Sequence, residues 1–329
     1  MHCQGFPGIL DARRLLASHP APRYLSWDIA STTVSPMLLP WRLALIAVLL
    51  LSGPAPSAAQ VTVTDDLHRT VTLPAAARRI ISLAPSITES LFAIGAGELV
   101  VGVTEYCTFP PEAARRVRVG GMITPSIETI VSLKPDLILV SMEGNLREDF
   151  LRLTDLEVPV VVTNPRTLDD IASSIRLLGT LAGHTDEADS LVRRLGARRR
   201  HLQDGVTSRS QRVLMFVSLQ PLIAVGAGTF LHDLLTSAGA SNLAAHTGMT
   251  YPAYSREAVT AGDPDVLLIL SDALPALDGV TTLFPEWGRL TAFRNGRVFL
   301  VDADLVSRPG PRAVDGLELL VSLIQTGRP

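Results

Sequence analysis

Side chains able to carry out covalent or acid–base chemistry occur in this sequence, but not at the spacings that chemistry needs. Seven histidines are scattered over 329 residues. His68, His184, His201, His232 and His246 fall in different expected elements and form no i, i+4 pair, so they offer no ready metal cage. No G-x-S-x-G elbow, no glycine-rich loop ending in G-K-[ST] and no H-E-x-x-H is present. Gly226-Ala227-Gly228 opens like a dinucleotide-binding turn, but Leu231 stands where the third glycine belongs and the acidic residue about 20 positions on is absent. It reads as a plain turn. Glu105 and Asp302 remain as acid or base candidates for an exported α/β enzyme, each without a partner at a recognised spacing. No catalytic residue, metal ligand or resident cofactor is therefore assigned, and the chemistry expected is binding.

The elements that would position a binding site follow from the apolar pattern. Val61 and Val63, then Val71 and Leu73, flank Asp65-Asp66 as in a hairpin. Apolar runs recur at Ile80–Leu83, Val100–Val103, Leu137–Val140 and Val158–Val162, separated by helix-period stretches such as Ile87–Ile94 and Ile127–Leu133. Strands alternating with helices predict a parallel sheet covered on both faces. From Leu168 to Leu202 no strand candidate occurs, and Gly183-His184-Thr185 divides the stretch into two helices, the second capped by Thr185 and running from about Asp186 to Gln203. The alternation then resumes. Strands are expected at Val213–Val217, Val266–Leu270 and Val298–Val301, with helices near Phe230–Ala238, Ser255–Ala261 and Ala313–Ile324. The organisation expected is an amino-terminal lobe over residues 60–165, a helical linker over 166–205 and a carboxy-terminal lobe over 206–329. Open α/β sheets bind ligands outside the carboxyl ends of their strands, so the site belongs in a cleft between the lobes.

Residues 37–59, MLLPWRLALIAVLLLSGPAPSAA, have the form of a secretory signal peptide: Arg42, nine apolar residues from Leu43 to Leu51, a Ser-Gly-Pro break and small residues. Nine apolar residues are too few to span a bilayer, which takes about 20. Cleavage is expected after Ala59, delivering the chain to the periplasm. Translation is expected to begin at Met37, making residues 1–36 a non-native extension, and no cysteine follows the apolar run to carry a lipid. The net charge of −3 divides into +2 for residues 1–59, where Arg13, Arg14, Arg23 and Arg42 face Asp11 and Asp28, and −5 for the rest. An acidic body lacks the basic stripe that nucleic-acid binding requires. Arg198-Arg199-Arg200 reads as a solvated helix face. With Cys3 removed, Cys107 is a lone thiol and no disulfide is expected.

Six segments belong together in order. RIISLAPSITESLFAIGAGELVVGVTEYCTFPPEA (Arg79–Ala113) and SIETIVSLKPDLILV (Ser126–Val140) resemble the amino-terminal lobe of periplasmic cobalamin- and iron-siderophore-binding proteins of ABC importers. YPAYSREAV (Tyr251–Val259), DPDVLLI (Asp263–Ile269), RNGRVFLVD (Arg294–Asp302) and RPGPRAVDGLELL (Arg308–Leu320) are similar to its carboxy-terminal lobe. The resemblance covers nearly all of residues 60–326. It implies an α/β fold of two Rossmann-like lobes, each a mainly parallel sheet with flanking helices, joined by one long rigid helix with little hinge motion.

The resemblance also implies roles. Tyr106 in EYCTFPP, Met122 in GGMITP and Tyr251 in TYPAYS match ligand-facing positions, with Met122 where a tryptophan stands in a well-known relative, and Arg312 in PGPR matches an arginine near the cleft. Glu128 in SIET and Glu257 in SREA match the acidic residue that each lobe presents to a permease subunit. A carboxylate in the first turn of a helix is favoured by the helix dipole as well, by about 0.3–1 kcal/mol. The partners implied are a permease with its ATPase and a small metal chelate, carried as ligand by a monomer without stable membrane insertion. Cobalamin is the first expectation for that ligand. A ferric siderophore, or a haem held through an axial tyrosine, remains open, as does an exported enzyme; an adhesive module would need repeats or an anchor.

Overall fold

The computed structural model describes residues 59–207, 210–274 and 276–327, so the signal-peptide and start-site readings fall outside the described residues. Two antiparallel strands, β1 (Val61–Thr64) and β2 (Thr70–Leu73), form the expected hairpin. Its turn is built around Asp65, whose carboxylate accepts from the backbone of Leu67 and Arg69, pairs with the Arg69 guanidinium and accepts from Val162 N at 3.3 Å.

The first sheet comprises β3 (Ile80–Ser82), β4 (Val100–Val103), β5 (Val117–Arg118), β6 (Leu137–Ser141) and β7 (Val160–Thr163), all parallel, in the order β5-β4-β3-β6-β7. Every residue of β3, β6 and β7 is buried. Uninterrupted apolar strands demand cover on both faces, which α1 (Pro85–Ala93), α2 (Ile127–Ser132) and α3 (Arg147–Thr154) help to supply. The buried Cys107 thiol sits in a small polar knot, 3.1 Å from Thr88 Oγ1, which lies 2.8 Å from Ser82 Oγ.

Two antiparallel helices follow, α4 (Leu168–Ala182) and α5 (Thr185–Asp204). Thr167 caps α4 by accepting from Asp170 N at 3.1 Å, and Gly183 ends it with a φ of 72°, a left-handed conformation that glycine adopts without strain. Thr185 does not cap α5. It is the first helical residue, and His184 occupies the cap position with no side-chain hydrogen bond. At 20 residues α5 is about 30 Å long. The Arg198–Arg200 run lies on this helix but is not simply solvated: Arg198 pairs with Asp315 and Glu318, and Arg199 with Asp169 at 2.7 Å.

The second sheet has β8 (Gln211–Leu219), β10 (Ala240–Asn242), β11 (Val266–Leu270) and β12 (Val298–Val301) in parallel, ordered β10-β8-β11-β12, with β9 (Leu222–Ala224) antiparallel to β8. Its helices are α6 (Phe230–Ser237), α7 (Arg256–Gly262), α8 (Asp278–Leu283), α9 (Thr291–Arg294), α10 (Ala303–Val306) and α11 (Ala313–Val321). The chain is thus a two-lobed α/β protein. One apolar core runs from Ile80 and Leu139 in the first lobe through Ile175, Leu178 and Ala188 of the helical pair to Val213, Leu234 and Leu317 in the second. No helix among the described residues is long and apolar enough to cross a membrane.

Candidate functional site

Each sheet begins with a central strand from which the chain winds first to one side and then to the other. The order reverses between β3 and β6 in one sheet and between β8 and β11 in the other. Those reversals open a crevice at the carboxyl ends of the strands. An open cleft of about 370 Å³ lies there: Pro85 and Ser86 after β3 and Ser141 and Glu143 around the end of β6 face Leu270 and Asp272 from the opposite lobe. A larger concavity, about 450 Å³, lies on the flank of α4, α5 and the first turn of α11, away from every strand end. Its Arg176 and Arg199 are already paired, with Asp189 and Asp169.

Tyr106 and Met122 both wall the cleft, and Tyr106 is 55% exposed, an unusually open position for so large a ring. The segment carrying Met122 is held from below. Asn145 donates through Nδ2 to the carbonyls of Leu83 at 3.1 Å and Met122 at 2.7 Å, and its Oδ1 accepts from Ser141 N at 2.9 Å. One amide therefore ties the ends of β3 and β6 to the Met122 loop. Met122 then crosses the bare α-carbon of Gly144, where an added Cβ would stand 2.0 Å from its Cε.

Tyr251 lies outside the walling side chains, in the segment before α7, and is half-exposed. Burial pushes its phenol pKa up, Glu143 adds to the shift and Arg166 opposes it, so the ring carries its proton at neutral pH. Arg166 pairs with Glu143 at 3.4 Å and donates to Gly228 O at 2.8 Å, bridging the lobes at this rim. The turn at Gly228 is a close-packed one: a Cβ on Gly226 would meet Met249 O at 1.9 Å.

Arg312 is not among the side chains that wall the cleft. Its Nε and Nη2 donate to Glu89 at 2.8 and 2.7 Å, and its guanidinium stacks 4.3 Å from the centre of the Phe109 ring. Those contacts with Glu89 raise its pKa further. The arginine that does wall the cleft is Arg308, beside Asp304, and sequence reasoning missed both. R-P-G-P-R carries two arginines four apart, and only the backbone path decides which one faces the opening.

Glu128 and Glu257 occupy equivalent positions. Each is the second residue of a short helix whose capping serine accepts from the third, Ser126 from Thr129 N at 3.3 Å and Ser255 from Ala258 N at 3.1 Å. Both are exposed. Hydrogen bonds from its own backbone N–H and from Ser255 hold the Glu257 carboxyl below the usual range. Of the acid or base candidates, Asp302 is used as a cap, accepting from Asp304 N at 2.9 Å, and Glu105 is an exposed residue.

A family model described as periplasmic binding protein matches residues 80–305. The uncharacterized ABC transporter substrate-binding lipoprotein YvrC of Bacillus subtilis (strain 168) is 30% identical over 311 residues, 86% of this chain and 96% of that one. The vitamin B12-binding protein of Pectobacterium carotovorum subsp. carotovorum (strain PC1) is 32% identical over 239 residues, 71% of this chain and 84% of its own length. Among solved structures, the periplasmic vitamin B12-binding protein BtuF of Vibrio cholerae superposes with a TM-score of 0.68 at 29% identity, covering 76% of this chain and 97% of that one. The periplasmic heme-binding protein RhuT from Roseiflexus sp. RS-1, in apo form, gives 0.69 at 28%, covering 77% and 100%. With the match running through both sheets and both walls of the cleft, this chain belongs to the periplasmic binding protein family.

Proposed function

We propose that this protein captures a corrinoid, cobalamin in the first instance, in the cleft between its lobes and delivers it to the permease and ATPase of an ABC importer. The observation that carries the reading is the open cleft at the carboxyl edges of both sheets, walled by a half-exposed tyrosine and a thioether. A flat macrocycle presents a broad apolar face to such groups, and Tyr106 and Met122 are the residues proposed to receive it. Tyr251 is proposed to close the rim. Arg312 holds the floor, with Arg308 and Asp304 as the polar groups that meet the ligand's amides or phosphate. The B12-binding relatives on both the sequence and the structural side support the same ligand.

Glu128 and Glu257 are proposed as the two docking carboxylates, one for each permease subunit. Dipole stabilisation at a helix start accounts for either one alone, but not for the same Ser-x-Glu arrangement in each lobe. The protein is proposed to work as a periplasmic monomer, beginning at Gln60 once residues 37–59 are removed, with lobes over 60–165 and 206–329 and a linker over 166–205.

A second reading, haem, is supported by the likeness to the heme-binding RhuT and by the two tyrosines as axial candidates. Titration with cyanocobalamin, hydroxocobalamin, haem and ferric siderophores separates the two. The reporter is Trp287, buried in the second lobe, stacked on Phe284 at 4.0 Å between ring centres, and the sole tryptophan after residue 59. Saturable one-to-one quenching by a corrinoid at sub-micromolar concentration is the expected result. Response to haem or an iron chelate with silence towards corrinoids would replace the ligand and keep the fold.

A further inference from the structure

Glu89 sits in the middle of α1, on the first lobe, with its side chain 1% exposed. A carboxylate that far from water is tolerated only when its oxygens are paired. The side chains that donate to its carboxylate come from the other lobe. Arg312 donates to both oxygens, Nε to Oε2 at 2.8 Å and Nη2 to Oε1 at 2.7 Å, and Arg308 Nη1 donates to Oε1 at 3.3 Å. Between the two arginines, Gly310 runs so close to α1 that a Cβ there would lie 3.2 Å from Ser86 O. The R-P-G-P-R segment is therefore pressed on α1 at its centre by backbone contact and held on both sides by charge.

The two arginines are not equivalent. Arg312 satisfies both carboxylate oxygens in the planar, two-pronged manner that only a guanidinium supplies, and Phe109 covers its face. Arg308 adds one longer contact and is also engaged by Asp304. Removing Arg308 leaves Glu89 paired, whereas removing Arg312 leaves a buried carboxylate with one long bond.

We propose that the Glu89–Arg312 pair is the clasp that sets the separation of the two lobes, a positioning element. Glu89 touches no ligand in this role. It fixes the width of the opening into which a ligand must fit, and it does so in the empty protein.

The test is made without any ligand, so it stands apart from the identity of the cargo. Spin labels are placed on the full protein at Val131→Cys in α2 and Thr260→Cys in α7, both exposed and one in each lobe; Cys107 is buried. The distance distribution between them is then measured by electron paramagnetic resonance. Glu89→Gln and Arg312→Gln are each expected to broaden the distribution at least twofold, while Arg308→Gln leaves its width unchanged. Leu91→Ala, a buried lesion on the same helix, serves as control: it lowers the unfolding temperature without broadening. Should Glu89→Gln fail to fold, Arg312→Lys, which keeps the charge and loses the second prong, is expected to broaden the distribution as well. Distributions as narrow as the parent's in the Glu89 and Arg312 variants would overturn the proposal, and so would equal broadening in Leu91→Ala.

Discussion

Met122 can lie in the cleft only because residue 144 has no side chain. Gly144→Ala is expected to push the thioether off the wall and weaken ligand binding about tenfold, or about 1.4 kcal/mol, with an unchanged far-ultraviolet circular dichroism spectrum; isothermal titration measures it. Tyr106→Ala is expected to lose about 1–2 kcal/mol of binding with no shift in unfolding temperature, because the ring is already half in water and packs little of the core. Asp263 offers a different readout. Its carboxylate accepts from Thr291 N and Oγ1, both at 2.7 Å, and those bonds hold its pKa below the ordinary carboxyl value. Its stabilisation is present above the unfolded pKa, about pH 4, and is lost as pH falls through the depressed folded value. Asp263→Asn should therefore flatten the acid limb of the stability curve, as followed by urea unfolding at a series of pH values. At this scale the family resemblance of EYCTFPP and GGMITP pointed to Tyr106 and Met122, which both wall the cleft, and their contact with a ligand is the proposal made above. Glu89 was not: an acidic residue in a helix looks solvated until the partner lobe brings two arginines to it. Arg308 and Arg312 could not be ranked from spacing alone.

Strands built on apolar runs were the easiest to read. The strands at Ile80, Leu137, Val266 and Val298 stand where unbroken apolar runs predicted them, and the helical pair over residues 168–204 follows from its 3.6-residue period. Short pieces escaped. β5 has two residues, β9 and β10 have three, and α9 and α10 have four, too few to establish a period. The capping of the linker helices supplies a direct contrast. Thr167→Ala removes a bonded cap and is expected to cost about 1 kcal/mol in urea unfolding, whereas Thr185→Ala, which removes none, should change stability by less than about 0.5 kcal/mol. Equal losses would mean that Thr185 supports the helix in some other way.

At the scale of the molecule, the same core passes through both lobes and the helices between them. Two bodies that share one core cannot melt separately, so calorimetry of residues 60–329 is expected to give a single transition with matching calorimetric and van't Hoff enthalpies. The docking proposal also belongs here, because it needs both lobes at once. Glu128→Ala combined with Glu257→Ala is expected to abolish stimulation of the transporter's ATPase while leaving ligand affinity intact; loss of affinity together with stimulation would mean that the helices support the cleft instead. The two-lobed plan was readable from the strand–helix alternation and its single interruption. The clasp was not, because it joins positions 89 and 312, which nothing short of the folded chain brings together. The continuity of the core has one more consequence. Two walls that stand on one core, with the proposed clasp between them, hold the cleft at one width before any ligand arrives. On the proposed role, unloading would then begin with a force from outside that parts the two walls, and a share of the energy of import would go into that step.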